Sequence, residues 1–291
     1  MKAIQYMDPL DLTLLSTPKG YRNLGSICYW NSLLQGLGSC TALVRELRKT
    51  QDPLAQLLLE ALAAQPSDQH INLHNQCMQY LLQKRHISAP LRGQQCAGEA
   101  FTLLLTSLES CQLLQNLFLY KYIVSVQCGQ CQRRTEPTES KGNLMILPNS
   151  RDIPDISQYI LGHMEQVEYR CERCRESSAQ ASQLHKLTLI PEIIVLMFRK
   201  EYESEAYYAN IPAQLQIQRF RYRPVAFIQH YGGPSGGHYN CIALRVHPAS
   251  KQPGWFMLDD QSVQYLSPDD DSVWNHVNRK NTYLVIYHLA H

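Results

Sequence analysis

The sequence predicts an α+β fold in which a layer of helices packs against a largely antiparallel sheet. In the first half of the chain apolar residues recur every three or four positions, which is typical of amphipathic helices. In the second half they alternate with polar residues or form runs rich in β-branched and aromatic side chains, which is typical of strands. The two halves do not interleave as strand–helix–strand units, so a parallel sheet is not expected.

The helical half extends from Tyr29 to Leu117. Its apolar positions include Leu33, Leu34, Leu37, Leu54, Leu57, Leu58, Leu62, Leu103, Leu104, Leu105 and Leu108. A helix is expected to begin near Gly98 and Glu99, because an acidic residue in the first turn suits the helix dipole. After Leu117 the pattern changes to strands, at Phe118, Tyr120, Tyr122, Val124 and Val126, and again around Val225, Phe227 and residues 283–287.

Length and composition restrict the class of protein. A chain of 291 residues, 44% of them hydrophobic, can bury a large core without disulfides, and its net charge of +2 provides no field that would attract nucleic acid. Asp8 and Asp11 interrupt the apolar run that a secretory signal needs. Pro191 and Glu192 interrupt the most apolar stretch of the chain, which is too short to cross a bilayer. We therefore expect a soluble monomer of the cytoplasm or nucleus, without membrane or nucleic-acid partners. Its ten cysteines are then thiols or metal ligands.

Cys28 is the candidate nucleophile. It follows a turn at Gly25 and Ser26 and begins an amphipathic helix. Unpaired backbone N–H groups and the positive end of the dipole at a helix N-terminus favour a thiolate. The position alone also fits a buried structural cysteine, so the assignment depends on partner groups elsewhere in the chain.

Those partners are a histidine and an acidic pair in the second half. His238 follows the glycine cluster at 232–237 and begins an apolar strand, and Asp259 and Asp260 end the next one. One of the two acids can accept the imidazole N–H and fix its tautomer. Each feature alone is also typical of a structural histidine or of turn-forming acids.

Taken together, two segments resemble the ubiquitin-specific proteases. Residues 20–37, GYRNLGSICYWNSLLQGL, are similar to the cysteine box of that family, and residues 231–260 are similar to its histidine box. The resemblance implies a papain-like cysteine protease fold, with a single catalytic domain at 19–291 after an N-terminal extension at 1–18. Its helical thumb would cover about 19–117, its fingers about 118–190 and its β-rich palm about 191–291.

The resemblance also implies roles for individual residues. Cys28 matches the nucleophile, His238 the general base and Asp260 the acid that orients the imidazole, with Asp259 as a second polar residue beside it. Asn23 matches the residue whose side-chain amide donates to the oxyanion. The implied activity is hydrolysis of the peptide or isopeptide bond after the C-terminal glycine of ubiquitin.

Substrate-binding residues follow from the same resemblance. Gln95 and Glu99 match the segment that holds the tail of ubiquitin, and Tyr239 belongs to the histidine box. Cys96 occupies the position of an aspartate that helps hold an arginine of that tail. A ubiquitin-like modifier other than ubiquitin therefore remains an alternative substrate.

Two cysteine pairs predict a metal site. The spacing of Cys128-x-x-Cys131 and Cys171-x-x-Cys174 is that of zinc-binding knuckles. Four thiolates complete a tetrahedral, structural zinc site with no open position. The strands on both sides can bring the pairs together at the tip of an extended hairpin. The resemblance agrees, because the fingers of this family carry zinc at paired knuckles. The alternative is four unrelated reduced cysteines.

Two further classes of function remain open. One is a catalytically weak relative that only binds ubiquitin, and the other is a zinc-stabilised scaffold with a vestigial cysteine box. The joint presence of Asn23, Cys28, His238 and Asp260 favours the enzyme over both.

Overall fold

The computed structural model describes residues 17–23, 25–63, 76, 95–108, 111–148, 153–175, 177–199, 209–233 and 236–290. Of the predicted N-terminal extension, only residues 17 and 18 belong to this part of the chain. The described residues form a helical layer, a four-stranded sheet and a larger, mainly antiparallel sheet. The predicted α+β class is confirmed.

The helical layer comes first along the chain. Its described members are α1 (Cys28–Leu37), α2 (Thr41–Leu47), α3 (Pro53–Ala63), α4 (Ala97–Ser107) and α5 (Gln112–Asn116). All ten residues of α1 are buried, so this helix lies inside the molecule. Among the described helices, none is long and apolar enough to cross a lipid bilayer.

The four-stranded sheet, which we call the finger sheet, follows α5. It consists of β1 (Tyr120–Gln127), β2 (Thr138–Gly142), β4 (Gly162–Arg170) and β5 (Ser177–Leu189), all antiparallel in the order β2-β1-β5-β4. A short helix, α6 (Ile156–Leu161), leads into β4. Asp155 caps it by accepting hydrogen bonds from the backbone N–H groups of Ser157 and Gln158, at 2.8 and 3.2 Å.

The larger sheet, which we call the palm sheet, is built mostly from the last third of the chain. Its strands are β3 (Met145–Leu147), β6 (Ile193–Phe198), β7 (Leu215–Ile217), β8 (Phe220–Gly233), β9 (Gly236–Val246), β10 (Pro253–Asp259), β11 (Ser262–Ser267) and β12 (Thr282–Leu289). Their order is β11-β10-β9-β8-β12-β6-β3, with β7 on β8, and only β3 runs parallel to its neighbour.

Both faces of the palm sheet are covered. On one face α1 packs against β8, β9 and β10, and Trp30 and Phe101 lie in the core that it shares with the other helices. On the other face a second core contains Trp255 and Tyr287. Burial on both faces explains the nearly unbroken apolar run in β12, whose first seven residues are all buried.

Close backbone contact joins the segment before α1 to the end of β10. A Cβ atom on Gly20 would lie 2.3 Å from the carbonyl oxygen of Gln261, so only glycine allows this approach. Next to it, the backbone N–H of Tyr21 donates to the carbonyl of Asp260 at 2.6 Å. This contact brings the loop before Cys28 beside the acidic pair.

A buried arginine fixes α1 to β9. Arg245 is 2% exposed, and its guanidinium donates to the hydroxyl of Ser39, the backbone carbonyl of Leu244 and the side-chain oxygen of Gln35. Hydrogen bonds to a charged group are stronger than neutral ones, and these hold the helix in one position on the sheet. The start of α1 is thereby positioned relative to the first residues of β9.

Candidate functional site

Cys28 is the first residue of α1 and is 3% exposed. Burial is the largest influence on its thiol and raises the pKa, while hydrogen bonds from the backbone of Tyr239 and Tyr29 act in the opposite direction. The N–H groups at the helix N-terminus do favour the thiolate, but burial acts more strongly in the opposite direction. Desolvation disfavours the charged form more than the N–H groups favour it.

His238 lies at the start of β9, with Asp259 as its partner. Its Nε2 atom is 2.5 Å from Oδ1 of Asp259, and the two side chains are 43% and 39% exposed. When Nε2–H donates to the carboxylate, Nδ1 of a neutral ring carries the lone pair that can accept a proton from a thiol. The carboxylate thus selects the tautomer that a general base requires.

This geometry corrects the predicted role of Asp260. Its carboxylate accepts hydrogen bonds from Nδ2 of Asn23 at 2.8 Å and from Nδ2 of Asn31 at 2.7 Å, and among the described residues no hydrogen bond or ion pair joins it to the imidazole. The reason is the turn that follows β10: Asp260 has a φ of +48° and lies outside the strand, whereas Asp259 is the last residue of that strand. The two neighbouring side chains therefore reach different partners.

Asn31 is a site residue that the sequence did not reveal. It is 1% exposed and lies three residues after Cys28, hence on the same side of α1. The available signal was an asparagine one turn after the candidate nucleophile in a mostly apolar helix, because an amide that becomes buried needs a polar partner. That partner is Asp260.

Asn23 shapes the loop that leads to Cys28. Its Oδ1 atom accepts hydrogen bonds from the backbone N–H groups of Gly25 and Ile27, at 3.0 and 3.3 Å. Gly25 and Ser26 both have positive φ, +114° and +57°, which the tight turn requires. One Nδ2 hydrogen is used by Asp260. Within the described chain the other has no partner, so it is available to a substrate oxygen.

Tyr239 does not have the exposed side chain that its predicted substrate-binding role suggested. It is 4% exposed, and its ring packs against those of His230 and Tyr283, at centroid distances of 4.4 and 5.9 Å. Its contribution to the site is its backbone, which donates to the Cys28 thiol.

A groove of about 500 Å³ lies between α4 and the β3 edge of the palm sheet. Cys96 lies at one end, where its sulfur accepts a hydrogen bond from the Glu99 backbone at 3.5 Å and is 2.8 Å from the hydroxyl of Tyr283. Glu99 is exposed and lines the groove. Apolar side chains, among them those of Leu144 and Met197, also line it. Gln95 is half-buried and is not among the groove-lining residues.

The four predicted metal ligands meet at the end of the finger sheet. The Sγ atoms lie within 4.8 Å of one another, with Cys128 to Cys174 at 3.7 Å and Cys131 to Cys171 at 3.6 Å. Each pair forms the same tight turn, because the residue after its second cysteine, Gln132 in one and Arg175 in the other, has positive φ.

The donor set fits a metal ion. Backbone N–H groups lower the pKa of the Cys128 thiol, and those of Cys174 and Arg173 lower the pKa of Cys171 to about 6. Thiolates held by N–H groups are the form that ligates zinc. The cysteine spacing thus correctly predicted a cluster able to hold a metal ion.

The two acids at the end of β10 should differ in their effect on stability. We expect Asp260→Ala to lower the free energy of unfolding by about 2–4 kcal/mol, because it removes the charged acceptor of two amide hydrogen bonds. Asp259→Ala should change it by less than about 1 kcal/mol, since its hydrogen bond with His238 is exposed to solvent. Chemical denaturation measures both, with Asp271→Ala as an exposed-carboxylate control. A larger loss for Asp259→Ala than for Asp260→Ala would contradict the assignment.

Comparison with known proteins identifies relatives. The profile of the ubiquitin carboxyl-terminal hydrolase family matches residues 19–287. Ubiquitin carboxyl-terminal hydrolase 37 of Gallus gallus is 25% identical over an alignment 235 residues long, which covers 62% of this chain and 23% of that protein. The chain thus spans about a quarter of the length of this relative.

Solved structures share the fold. A chain of the SAGA Ubp8/Sgf11/Sus1/Sgf73 DUB module bound to monoubiquitin superposes with a TM-score of 0.71 at 16% identity, over 94% of this chain and 69% of that one. For the module bound to ubiquitin aldehyde the TM-score is 0.70 at 17% identity, over 100% and 72% of the two chains. Because the family profile extends from the segment before Cys28 into β12, the last strand, the chain belongs to the ubiquitin carboxyl-terminal hydrolase family.

Proposed function

We propose that the protein is a thiol-dependent deubiquitinase that hydrolyses the peptide or isopeptide bond after the C-terminal glycine of ubiquitin. The observation that carries the proposal is the meeting of three distant segments at the start of α1. Asn23 and Asn31, which flank Cys28 in the sequence, donate to Asp260, while the neighbouring Asp259 holds the imidazole of His238. A nucleophile, a base and an orienting acid are thereby available at one place.

In the proposed reaction the sulfur of Cys28 attacks the carbonyl carbon after the terminal glycine. The thiol proton passes to Nδ1 of His238, and Asp259 stabilises the imidazolium that forms. That imidazolium then protonates the leaving lysine amine, and the acyl group remains on Cys28 as a thioester. His238 next takes a proton from water, the resulting hydroxide attacks the thioester, and the thiol is regenerated with release of the carboxylate.

Asn23 supplies a donor for the negative charge of the tetrahedral intermediate. Its remaining Nδ2 hydrogen lies on a side chain already fixed by Asp260 and by the loop backbone. A donor held in place before the reaction stabilises the transition state without reorganisation, and one such group contributes on the order of 3 kcal/mol. Asp260 therefore acts on the reaction through Asn23.

The groove along α4 is the proposed binding site for the modifier's extended tail. Its walls are mainly apolar, and Glu99 provides a carboxylate for a basic side chain. Cys96, in the place of a second acid, has its sulfur engaged by Tyr283. Because one acid is absent, a modifier with a less basic tail is the second candidate substrate, and parallel assays with ubiquitin and other modifiers distinguish the two.

The cysteine cluster is proposed to hold one structural zinc ion. Four thiolates complete the tetrahedral coordination of zinc and leave no position for an activated water, so the metal takes no part in hydrolysis. It would join the end of β1 to the connection between β4 and β5, and so fix the shape of the finger sheet.

Substitution of the nucleophile tests the activity. We expect the wild-type protein to form a covalent adduct with a ubiquitin that carries a C-terminal electrophile, and Cys28→Ala to form none while still binding ubiquitin. Cys111→Ala is the matched control, since this thiol contacts Thr50 and lies outside the site. Mass spectrometry of the adduct gives the stoichiometry and the modified residue. Hydrolysis of a ubiquitin substrate by Cys28→Ala would exclude the assigned nucleophile.

Removal of one zinc ligand tests the role of the metal. Zinc binding to such sites is coupled to folding, at about 10–16 kcal/mol in zinc-finger peptides, so Cys131→Ser should lower zinc content and melting temperature. It should raise KM for a full-length ubiquitin substrate, yet leave the hydrolysis of a short tail peptide near the wild-type rate. Cys111→Ser is the control. Equal loss on both substrates in a folded variant, or a wild-type protein without zinc, would refute the proposal.

A further inference from the structure

A second group of potential ligands lies in the finger sheet, next to α6. His163 on β4 pairs directly with His185 on β5, and Glu165 follows two residues later on the same face of β4. One ligand atom from each of the three side chains lies within 4.8 Å of the other two. None of these residues has a role in the proposed reaction or in the cysteine cluster.

The carboxylate of Glu165 faces both imidazoles. Its Oε1 atom is 3.5 Å from Nε2 of His163, and its Oε2 atom is 3.9 Å from Nε2 of His185. These distances are longer than hydrogen bonds, so the three groups converge without direct bonding. The space between them is of the size that a small cation would fill.

The tautomer of His163 is set by the backbone. Its Nδ1 atom is 3.1 Å from the carbonyl oxygen of Tyr159, and because a carbonyl only accepts, Nδ1 carries the hydrogen. A neutral ring then presents the lone pair of Nε2 to Glu165. Metal-binding histidines are oriented in this way, with the other ring nitrogen donating to a backbone carbonyl or carboxylate.

His185 provides an independent observation. Its Nε2 atom is buried and has no hydrogen-bond partner among the described residues. A buried polar atom without a partner is costly, and a cation bound to its lone pair would remove that cost.

Packing holds both rings in place. The His163 and His185 side chains are 13% and 17% exposed, and their rings stack at 4.4 Å between centroids. Tyr159 stacks on the outer face of His163 at 4.1 Å, and the ring edge of Tyr122 contacts both histidines. The two rings are therefore ordered beside Glu165, but their planes are nearly parallel, so metal binding would require them to rotate out of the stack.

We propose that His163, Glu165 and His185 form a second metal site, which binds one divalent transition-metal ion, with zinc as the preferred ion. Two imidazole nitrogens and a carboxylate oxygen are donors that suit zinc. A fourth position opens towards a cavity of about 240 Å³ that these residues line, where water can complete the coordination. With metal–ligand bonds of about 2.0 Å the donor atoms would stand about 3.3 Å apart, and the two rings would rotate out of their parallel stack so that both Nε2 lone pairs point at the ion.

An ion at this position would cross-link β4 and β5 beside α6, while the cysteine cluster joins the end of β1 to the connection between β4 and β5 at the other end of the sheet. The finger sheet would then be fixed at both ends. The alternative to a bound metal ion is a proton shared between His163 and Glu165. A measurement of metal binding distinguishes these two possibilities.

The test is metal binding to the intact protein. Protein dialysed against a mild chelator, so that the cysteine cluster keeps its metal, is titrated with Zn²⁺ by calorimetry and its metal content is measured. We expect wild type to bind one more ion than Glu165→Gln or His185→Gln, or to bind it at least tenfold more tightly. Glu165 is 49% exposed, so its variant should fold, and the exposed His276→Gln is the matched control and should bind like wild type.

Two further readouts make the result decisive. Zn²⁺ should raise the melting temperature of wild type and His276→Gln in a concentration-dependent way, but not that of Glu165→Gln. Co²⁺ in the new site should lack the thiolate charge-transfer absorption that a cysteine site gives. Equal binding by wild type and the Glu165 and His185 variants would overturn the proposal. So would a wild-type protein that takes up no extra ion and whose stability responds only to pH.

Discussion

The hydrogen bonds from Asn23 and Asn31 to the carboxylate of Asp260 are the interaction on which the site depends. They connect the loop before Cys28, the helix that begins there and the end of β10. Around this carboxylate the chain is fixed further by the Tyr21 backbone and by the close approach at Gly20. A half-buried carboxylate with two amide donors has one favourable arrangement. These hydrogen bonds therefore hold the helical layer in one position on the palm sheet.

The turn after β10 divides two tasks between adjacent acids. Asp259, still in the strand, orients His238, and Asp260, at positive φ, orients the loop that carries the nucleophile. Thiol and imidazole are thus positioned by separate carboxylates that share one peptide bond. Burial raises the pKa of the Cys28 thiol, which favours its protonated form in the free protein.

Sequence patterns predicted what depends on local spacing, namely the fold class and the candidate nucleophile, base and metal ligands. They assigned the imidazole partner wrongly because that choice depends on one backbone angle at Asp260. The thiol pKa of Cys28 and the partner of Asn31 depend on burial, which arises only when α1 packs into the molecule. The His163–His185 pair depends on strand register between β4 and β5, which no short motif encodes.

If Asp259 orients the imidazole and Asp260 does not, the tautomer of His238 depends on Asp259 alone. Nitrogen-15 NMR of histidine-labelled protein distinguishes Nε2–H from Nδ1–H in the neutral ring, and His238→Gln identifies the resonance. The account predicts the Nε2–H tautomer in wild type and in Asp260→Asn, and a mixture of tautomers in Asp259→Asn. A tautomer that changes in Asp260→Asn and persists in Asp259→Asn would contradict it.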